Sequence, residues 1–184
     1  MRVIAGSRKG HSLKAVPGKN TRPTTDKIKE ALFSIIGPYF DGERVLDLFA
    51  GSGGLGIEAL SRGAKSAVFI DQAGAAIKTV NENIRATHFE TEAQIFRNEA
   101  KKALKLLHKN EHQFDLVFLD PPYKKQQIEQ LMTELAELEL LSSGAVVVCE
   151  HDKEAEIASD MSGYKQIKQA VYGITVLSIY QYGV

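Results

Sequence analysis

Apolar residues in this chain follow two alternating rhythms. Short continuous runs, such as Ala67-Val68-Phe69-Ile70 and Leu116-Val117-Phe118-Leu119, have the length and the β-branched or aromatic content of strands buried on both faces. Between them apolar residues recur every third or fourth position, the period of an amphipathic helix. The pattern predicts strands over 44–49, 67–71, 93–97, 114–120 and 145–150, and helices over 55–62, 73–87, 99–109 and 126–138. An earlier helix starts at Thr24 or Thr25, where a capping hydroxyl follows Pro23 and precedes Asp26. Ile28, Leu32, Ile35 and Ile36 form its stripe, and Gly37-Pro38 ends it. Residues 164–171 and 174–182 alternate in type and join at Tyr172-Gly173, a β-hairpin signal. Strand–helix alternation implies an α/β fold with a mostly parallel, seven-stranded sheet, made antiparallel at one edge by the C-terminal hairpin.

Length and composition alter this picture little. A chain of 184 residues holds one domain and a short appendage, and 43% hydrophobic with 25% charged residues is a globular make-up. No apolar run approaches the ~20 residues of a membrane span, and the start lacks the apolar core of a signal peptide. The expectation is a cytoplasmic chain with no membrane partner. The single cysteine, Cys149, has no partner for an internal disulfide and lies in an apolar run, so it reads as a buried, inert thiol. The five histidines show no metal-ligand spacing, and no metal is expected.

Charge does alter it. The totals of 23 basic and 23 acidic residues cancel, yet residues 1–22 carry Arg2, Arg8, Lys9, Lys14, Lys19 and Arg22 and no acid. Glycines 6, 10 and 18, interleaved with apolar pairs, shape this arm as a small hairpin rather than a tail. A basic arm (1–22) on a more acidic body (23–184) points to a polyanion, and a shaped basic finger suits RNA. Arg2, Arg8, Lys9, Lys14 and Lys19 are its expected RNA contacts. The lysines of 99–109 read chiefly as a solvated helix face.

Ligands of parallel α/β sheets bind beyond the carboxyl ends of the strands. After the first predicted strand comes Asp47-Leu48-Phe49-Ala50-Gly51-Ser52-Gly53-Gly54-Leu55-Gly56, with Asp71 at the end of the second. Gly51, Gly53 and Gly56 match a nucleotide-binding fingerprint, and Asp71 is spaced to accept hydrogen bonds from a ribose diol. Asp47 argues against a dinucleotide, because a carboxylate beside the loop repels a pyrophosphate. S-adenosylmethionine (SAM) has no phosphate, and its ammonium and sulfonium favour an acid there. Asp47 also fits a helix-capping role.

After the fourth strand comes Asp120-Pro121-Pro122-Tyr123. A nucleobase amine is a weak nucleophile, because its lone pair is delocalised into the ring. Asp120 and the carbonyl of Pro121 are suited to accept its two N–H hydrogens and aim that lone pair at a methyl group. Prolines fix φ and so pre-aim the carbonyl, and Tyr123 is suited to stack on a base swung out of its helix. The same motif serves an adenine N6 amine in DNA, but 184 residues leave no room for a separate target-recognition domain. A NAD-binding oxidoreductase, or a non-catalytic nucleotide-binding module, leaves the motif without a role.

These motifs resemble a known family. The 47–56 stretch is similar to the SAM loop of class I methyltransferases, whose fold is Rossmann-like, and 120–123 to the D/N-P-P-Y/F motif of enzymes that methylate amines of DNA or RNA. Arg22-Pro23-Thr24-Thr25-Asp26 and the helix after it resemble an upstream element of the RsmD family. Members of that family methylate the N2 amine of one guanine in bacterial 16S ribosomal RNA. The resemblance implies that Asp47, Gly51 and Gly53 surround the methionine part of SAM, that Asp71 binds its ribose, and that Phe49 is a further cofactor-binding residue. It implies that Arg22 and Thr24 lie near the cofactor carboxylate, and that Asn98 or Glu99 approaches the adenine. Asp120 through Tyr123 become the catalytic element. The partner implied is 16S rRNA or the assembling small ribosomal subunit, met by a monomer.

Overall fold

The computed structural model describes residues 1–18, 24–122 and 124–184. Its elements run α1 (Asp26–Ile36), β1 (Arg44–Asp47), α2 (Gly54–Ser61), β2 (Ser66–Asp71), α3 (Gly74–Thr87), β3 (Ala93–Arg97), α4 (Ala100–Lys109), β4 (Phe114–Leu119), α5 (Lys124–Glu137), β5 (Leu141–Asp152), β6 (Tyr164–Tyr172) and β7 (Thr175–Tyr182). The seven strands are ordered β3-β2-β1-β4-β5-β7-β6. Pairs β1–β2, β2–β3 and β4–β5 are parallel, and β7 is antiparallel to both β5 and β6. The expected α/β sheet with its C-terminal hairpin is therefore present. Two compact units divide the chain, Met1–Ala100 and Lys101–Val184.

In the first unit, β1 and β2 run in register from Arg44↔Ser66 to Asp47↔Phe69. The strand ends two residues before the predicted boundary, because Leu48 and Phe49 enter the turn and the Ala50 N–H donates to the Ile70 carbonyl at 2.8 Å. Leu46, Ile57 and Phe69 are sealed from solvent in the core of this unit. Thr25 caps α1, its side chain accepting from the Ile28 N–H at 3.2 Å, and Phe33 meets Phe40 edge-to-face.

In the second unit, β5 starts four residues earlier than its apolar run. Ser142 and Gly144 look like turn residues in sequence. They join the strand because the Ser142 hydroxyl donates to Asp115 Oδ1 (2.6 Å) and the Phe114 carbonyl (3.2 Å), across the register irregularity between Phe114 and Leu116. Tyr164 donates its hydroxyl to the Met132 carbonyl (2.6 Å) and Tyr180 to the Ala158 carbonyl (2.7 Å), which ties the hairpin to α5 and to the segment after β5. Cys149 is buried in β5, and burial pushes its thiol pKa well above the ordinary value, so it is no nucleophile.

The N-terminal arm is a short hairpin. An antiparallel bridge joins Arg2 to Ser12, with Val3 N–H donating to the His11 carbonyl and Leu13 N–H to the Met1 carbonyl, both at 2.9 Å. It packs against α2 and α3 within the first unit. Ile4 and Ala5 N–H donate to the two carboxylate oxygens of Glu58 at 2.9 and 3.1 Å. That carboxylate is fully buried and also takes Arg62 Nε at 2.7 Å and Lys29 Nζ at 3.5 Å. Lys29 Nζ reaches on to the Arg2 carbonyl at 2.5 Å, and Arg62 lies over the Phe33 ring. One carboxylate thus joins the arm, α1 and α2.

Burial is the largest influence on Lys29 and lowers its pKa below 10.5; the Glu58 and Asp26 carboxylates raise it, and Arg62 lowers it further. Removing the hub leaves Arg62 and Lys29 as uncompensated buried cations, so Glu58→Gln is expected to cost about 3–5 kcal/mol in urea unfolding. Lys29→Met is expected to cost under about 2 kcal/mol, since burial already works against its charge and Glu58 keeps its other partners. Between its lowered folded pKa and 10.5, Lys29 binds fewer protons folded than unfolded. Its contribution to stability grows as pH rises through that window and is lost as pH falls through the folded value. The wild-type chain therefore gains on Lys29→Met as pH approaches 10.5.

Candidate active site

The turn after β1 is held by side chains from three directions. Gly51 and Gly53 adopt φ of +56° and +84°, values that side chains tolerate poorly. The Gly51 N–H donates to Asp71 Oδ2 at 2.9 Å, and the Ala73 N–H donates to Asp71 Oδ1 at 2.9 Å. Asp47, 3% exposed, accepts the Gly56 N–H on Oδ2 at 3.1 Å. Asn83 of α3 donates to the Ser52 carbonyl at 2.8 Å. A Cβ on Gly51 would meet no described atom within 4 Å, whereas a Cβ on Gly56 would overlap the Phe69 ring. Gly56 is thus a packing glycine, and among the described residues nothing crowds Gly51.

Most of the sequence-predicted residues lie among the described ones. Asp47, Phe49, Gly51, Gly53 and Asp71 gather at this turn; Phe49 and Asp71 are half-buried. Asn98 follows β3, and its N–H donates to the Asp71 carbonyl at 3.1 Å, which brings the segment after β3 against the Asp71 backbone. The Asn98 side chain accepts the Glu99 N–H at 2.8 Å, one residue before α4, while Glu99 is exposed. Thr24 is half-buried just before the cap of α1. Arg22 and Lys19 lie outside the described residues, as does Tyr123. In the second unit Asp120 follows the last residue of β4 and is half-buried; Pro121 is buried and Pro122 exposed.

The arm's cations are largely engaged with the body. Arg2 pairs with Asp26 at 3.3 Å and Lys14 with Glu82 at 3.2 Å. Arg8 donates Nε to the Thr87 carbonyl at 2.6 Å and lies 4.6 Å over the Phe89 ring, so it caps the end of α3 with a cation. Lys9 and His11 are exposed at the hairpin's turn.

Sequence reasoning did not find Asn83, Glu58 or Lys29. Each is a strongly polar residue on a buried helix face. Asn83 lies among Ala76, Val80, Ile84 and Thr87, and Lys29 precedes Leu32 and Phe33 on the buried side of α1. A polar side chain at a core-facing helical position is the signal that points to them. Among the described residues no group of three or more His, Cys, Asp or Glu is arranged to hold a metal, and no helix is long and apolar enough to cross a membrane.

The family described as conserved hypothetical protein 95 matches residues 1–181. The chain is 50% identical to the protein YlbH of Bacillus subtilis, over 98% of each. It is 32% identical to the Haemophilus influenzae protein named ribosomal RNA small subunit methyltransferase D, over 98% of this chain and 93% of that one. Among solved structures, the Escherichia coli protein yhhF superposes with a TM-score of 0.85 at 29% identity, covering 99% of this chain and 97% of that one.

The packing role of Gly56 has a direct consequence. Gly56→Ala forces a methyl into the Phe69 ring and is expected to cost about 1–3 kcal/mol in urea unfolding. Gly51→Ala meets no such overlap and is expected to cost only the left-handed strain, about 1 kcal/mol.

Proposed function

The chain belongs to the RsmD family, that of the ribosomal RNA small subunit methyltransferases D, and on that premise we propose that it methylates the N2 amine of a guanine in bacterial 16S rRNA, with SAM as donor. The reading includes a cytoplasmic monomer whose substrate is that RNA or the assembling small subunit.

The observation that carries the cofactor assignment is the bond from the Gly56 N–H to Asp47 Oδ2. A dinucleotide's pyrophosphate binds free N–H groups in the first turn of the helix after the glycine loop. Here a buried carboxylate takes that N–H, and its charge opposes a second anion. SAM brings no phosphate, and when bound it supplies a methyl group on a positively charged sulfur. The residues present fit it. No described atom crowds the Cβ side of Gly51 beside the turn. Asp71 spends one lone pair of each carboxylate oxygen on Gly51 and Ala73 and retains acceptor capacity for a ribose diol. Phe49 and Gly53 complete the methionine side, Thr24 and Arg22 the carboxylate side, and Asn98 or Glu99 the adenine side.

In the transfer itself, Asp120 and the Pro121 carbonyl accept the two N–H hydrogens of the guanine amine and direct its lone pair. Pro121 and Pro122 fix the backbone that carries that carbonyl. Tyr123 stacks on the extruded base. The methylated amine is briefly cationic and sheds its proton readily, so no separate base is required. Catalysis is then the in-line positioning of two reactants. Lys9, at the arm's exposed turn, makes phosphate contacts, with Arg2, Arg8, Lys14 and Lys19 adding to the local positive field.

Incubation with tritiated SAM and undermethylated small-subunit RNA, naked or as assembly particles, tests the reading. Label is expected in N2-methylguanosine; label in N6-methyladenine of DNA, or no transfer in any assembly state, contradicts it. Asp120→Ala is expected to lower kcat by about 10²–10³-fold and to leave SAM affinity within about tenfold, because it acts on the amine. A parallel collapse of SAM binding would remove that assignment. Lys9→Ala is expected to reduce the salt slope of RNA binding by about one; an unchanged slope takes Lys9 out of the interface.

A further inference from the structure

Asn83 sits on α3 and is 1% exposed. Its amide grips the arm and the glycine turn at once. Oδ1 accepts the Lys14 N–H at 2.8 Å, and Nδ2 donates to the Lys14 carbonyl at 2.9 Å and to the Ser52 carbonyl at 2.8 Å. Both N–H hydrogens are therefore spent, one on each side. Neither the arm nor the turn can shift without leaving a polar group unpaired in the interior.

The Ser52 carbonyl is a sensitive point to hold. It shares one planar peptide unit with the Gly53 N–H, which donates to the Ala50 carbonyl at 2.8 Å. The residues flanking Ser52 are Gly51 and Gly53, both at positive φ and free to rotate if released. Fixing the Ser52 carbonyl thus fixes the peptide at the centre of the turn. A second thread runs from the arm to the same residue, since the Ser52 hydroxyl donates to Met1 Sδ at 3.7 Å. On the arm side, the Asn83 partner Lys14 follows Leu13, whose N–H closes the hairpin on Met1.

We propose that Asn83 is a positioning residue that couples the N-terminal arm to the cofactor turn, so that order in the arm and occupancy of the turn reinforce each other. The inference rests on the reading of the turn as the SAM site. Coupling of this kind is reciprocal: an RNA that seats the arm tightens the cofactor, and the cofactor pre-orders the arm for RNA. Asn83 touches neither reactant and acts only through the two backbones it joins.

Amide hydrogen exchange of the full chain, with and without saturating S-adenosylhomocysteine, tests this. In the wild-type chain the ligand is expected to slow exchange at the Val3, Leu13 and Lys14 amides as well as at residues 51–53, by about tenfold. In Asn83→Ala the protection should persist in the turn and vanish from the arm, with affinity for the ligand lowered by about tenfold. Asn83→Asp keeps the acceptor for the Lys14 N–H and loses both donors, and it should give the same pattern; it serves if the alanine variant does not fold. A residue with only a structural role would destabilise arm and turn alike, with or without ligand. Protection confined to the turn in the wild-type chain, or arm protection that survives in either variant, overturns the coupling and leaves the cofactor reading intact. Failure of the ligand to bind wild-type chain in calorimetry overturns the cofactor reading and the coupling with it.

Discussion

The Glu58 carboxylate, sealed in the interior with Arg62, Lys29 and two backbone N–H groups of the arm, is the constraint on which the first unit depends. A buried charge of this kind is costly unless each of its lone pairs is met. Here the partners come from three separate parts of the chain, so satisfying one carboxylate assembles the hairpin, α1 and α2. Helix α2 begins at the glycine turn, and α1 begins just after Thr24 and its cap. The electrostatic hub is therefore built on the same two helices, with Lys29 in the first turn of α1 and Glu58 midway along α2.

The turn itself is shaped by the same logic on a smaller scale. Asp47, Asp71 and Asn83 each meet a backbone group that the turn would otherwise leave unpaired. Two of the three are acids, and they take N–H groups that a phosphate-binding loop would leave free for its ligand. The field at the turn is then suited to a cationic ligand rather than to an anionic one. Side chains already in place preorganise the turn, so a ligand there would require little reordering.

Much of this was legible in the order of residues. The parallel strands announced themselves as apolar runs, and the hairpin 164–182 by its alternation around Tyr172-Gly173. The glycine turn was visible because glycines, a strand and the spaced Asp71 are all local features. Strand ends were less legible, since the turn that stops β1 at Asp47 depends on the Ile70 carbonyl, and the early start of β5 on Asp115. The arm was legible as basic and hairpin-like, but not as a segment held down by its own cations. Arg2, Arg8 and Lys14 find Asp26, Thr87, Phe89 and Glu82, up to 81 positions away, and no local pattern encodes such pairings. The same holds for Glu58 and Asn83, whose partners lie 53 to 69 residues distant in the arm. Polar residues at core-facing positions mark them as unusual without saying what they meet.

Fold, turn and family converge on a single chemical claim, methylation of a guanine N2 amine in small-subunit rRNA. Its most direct measurement is quantitative nucleoside analysis of 16S rRNA from cells that lack the gene for this chain. The account predicts that N2-methylguanosine falls relative to the parent strain and returns when the wild-type gene is restored. Unchanged N2-methylguanosine in the deletion strain, or loss of a different modified nucleoside, would contradict it.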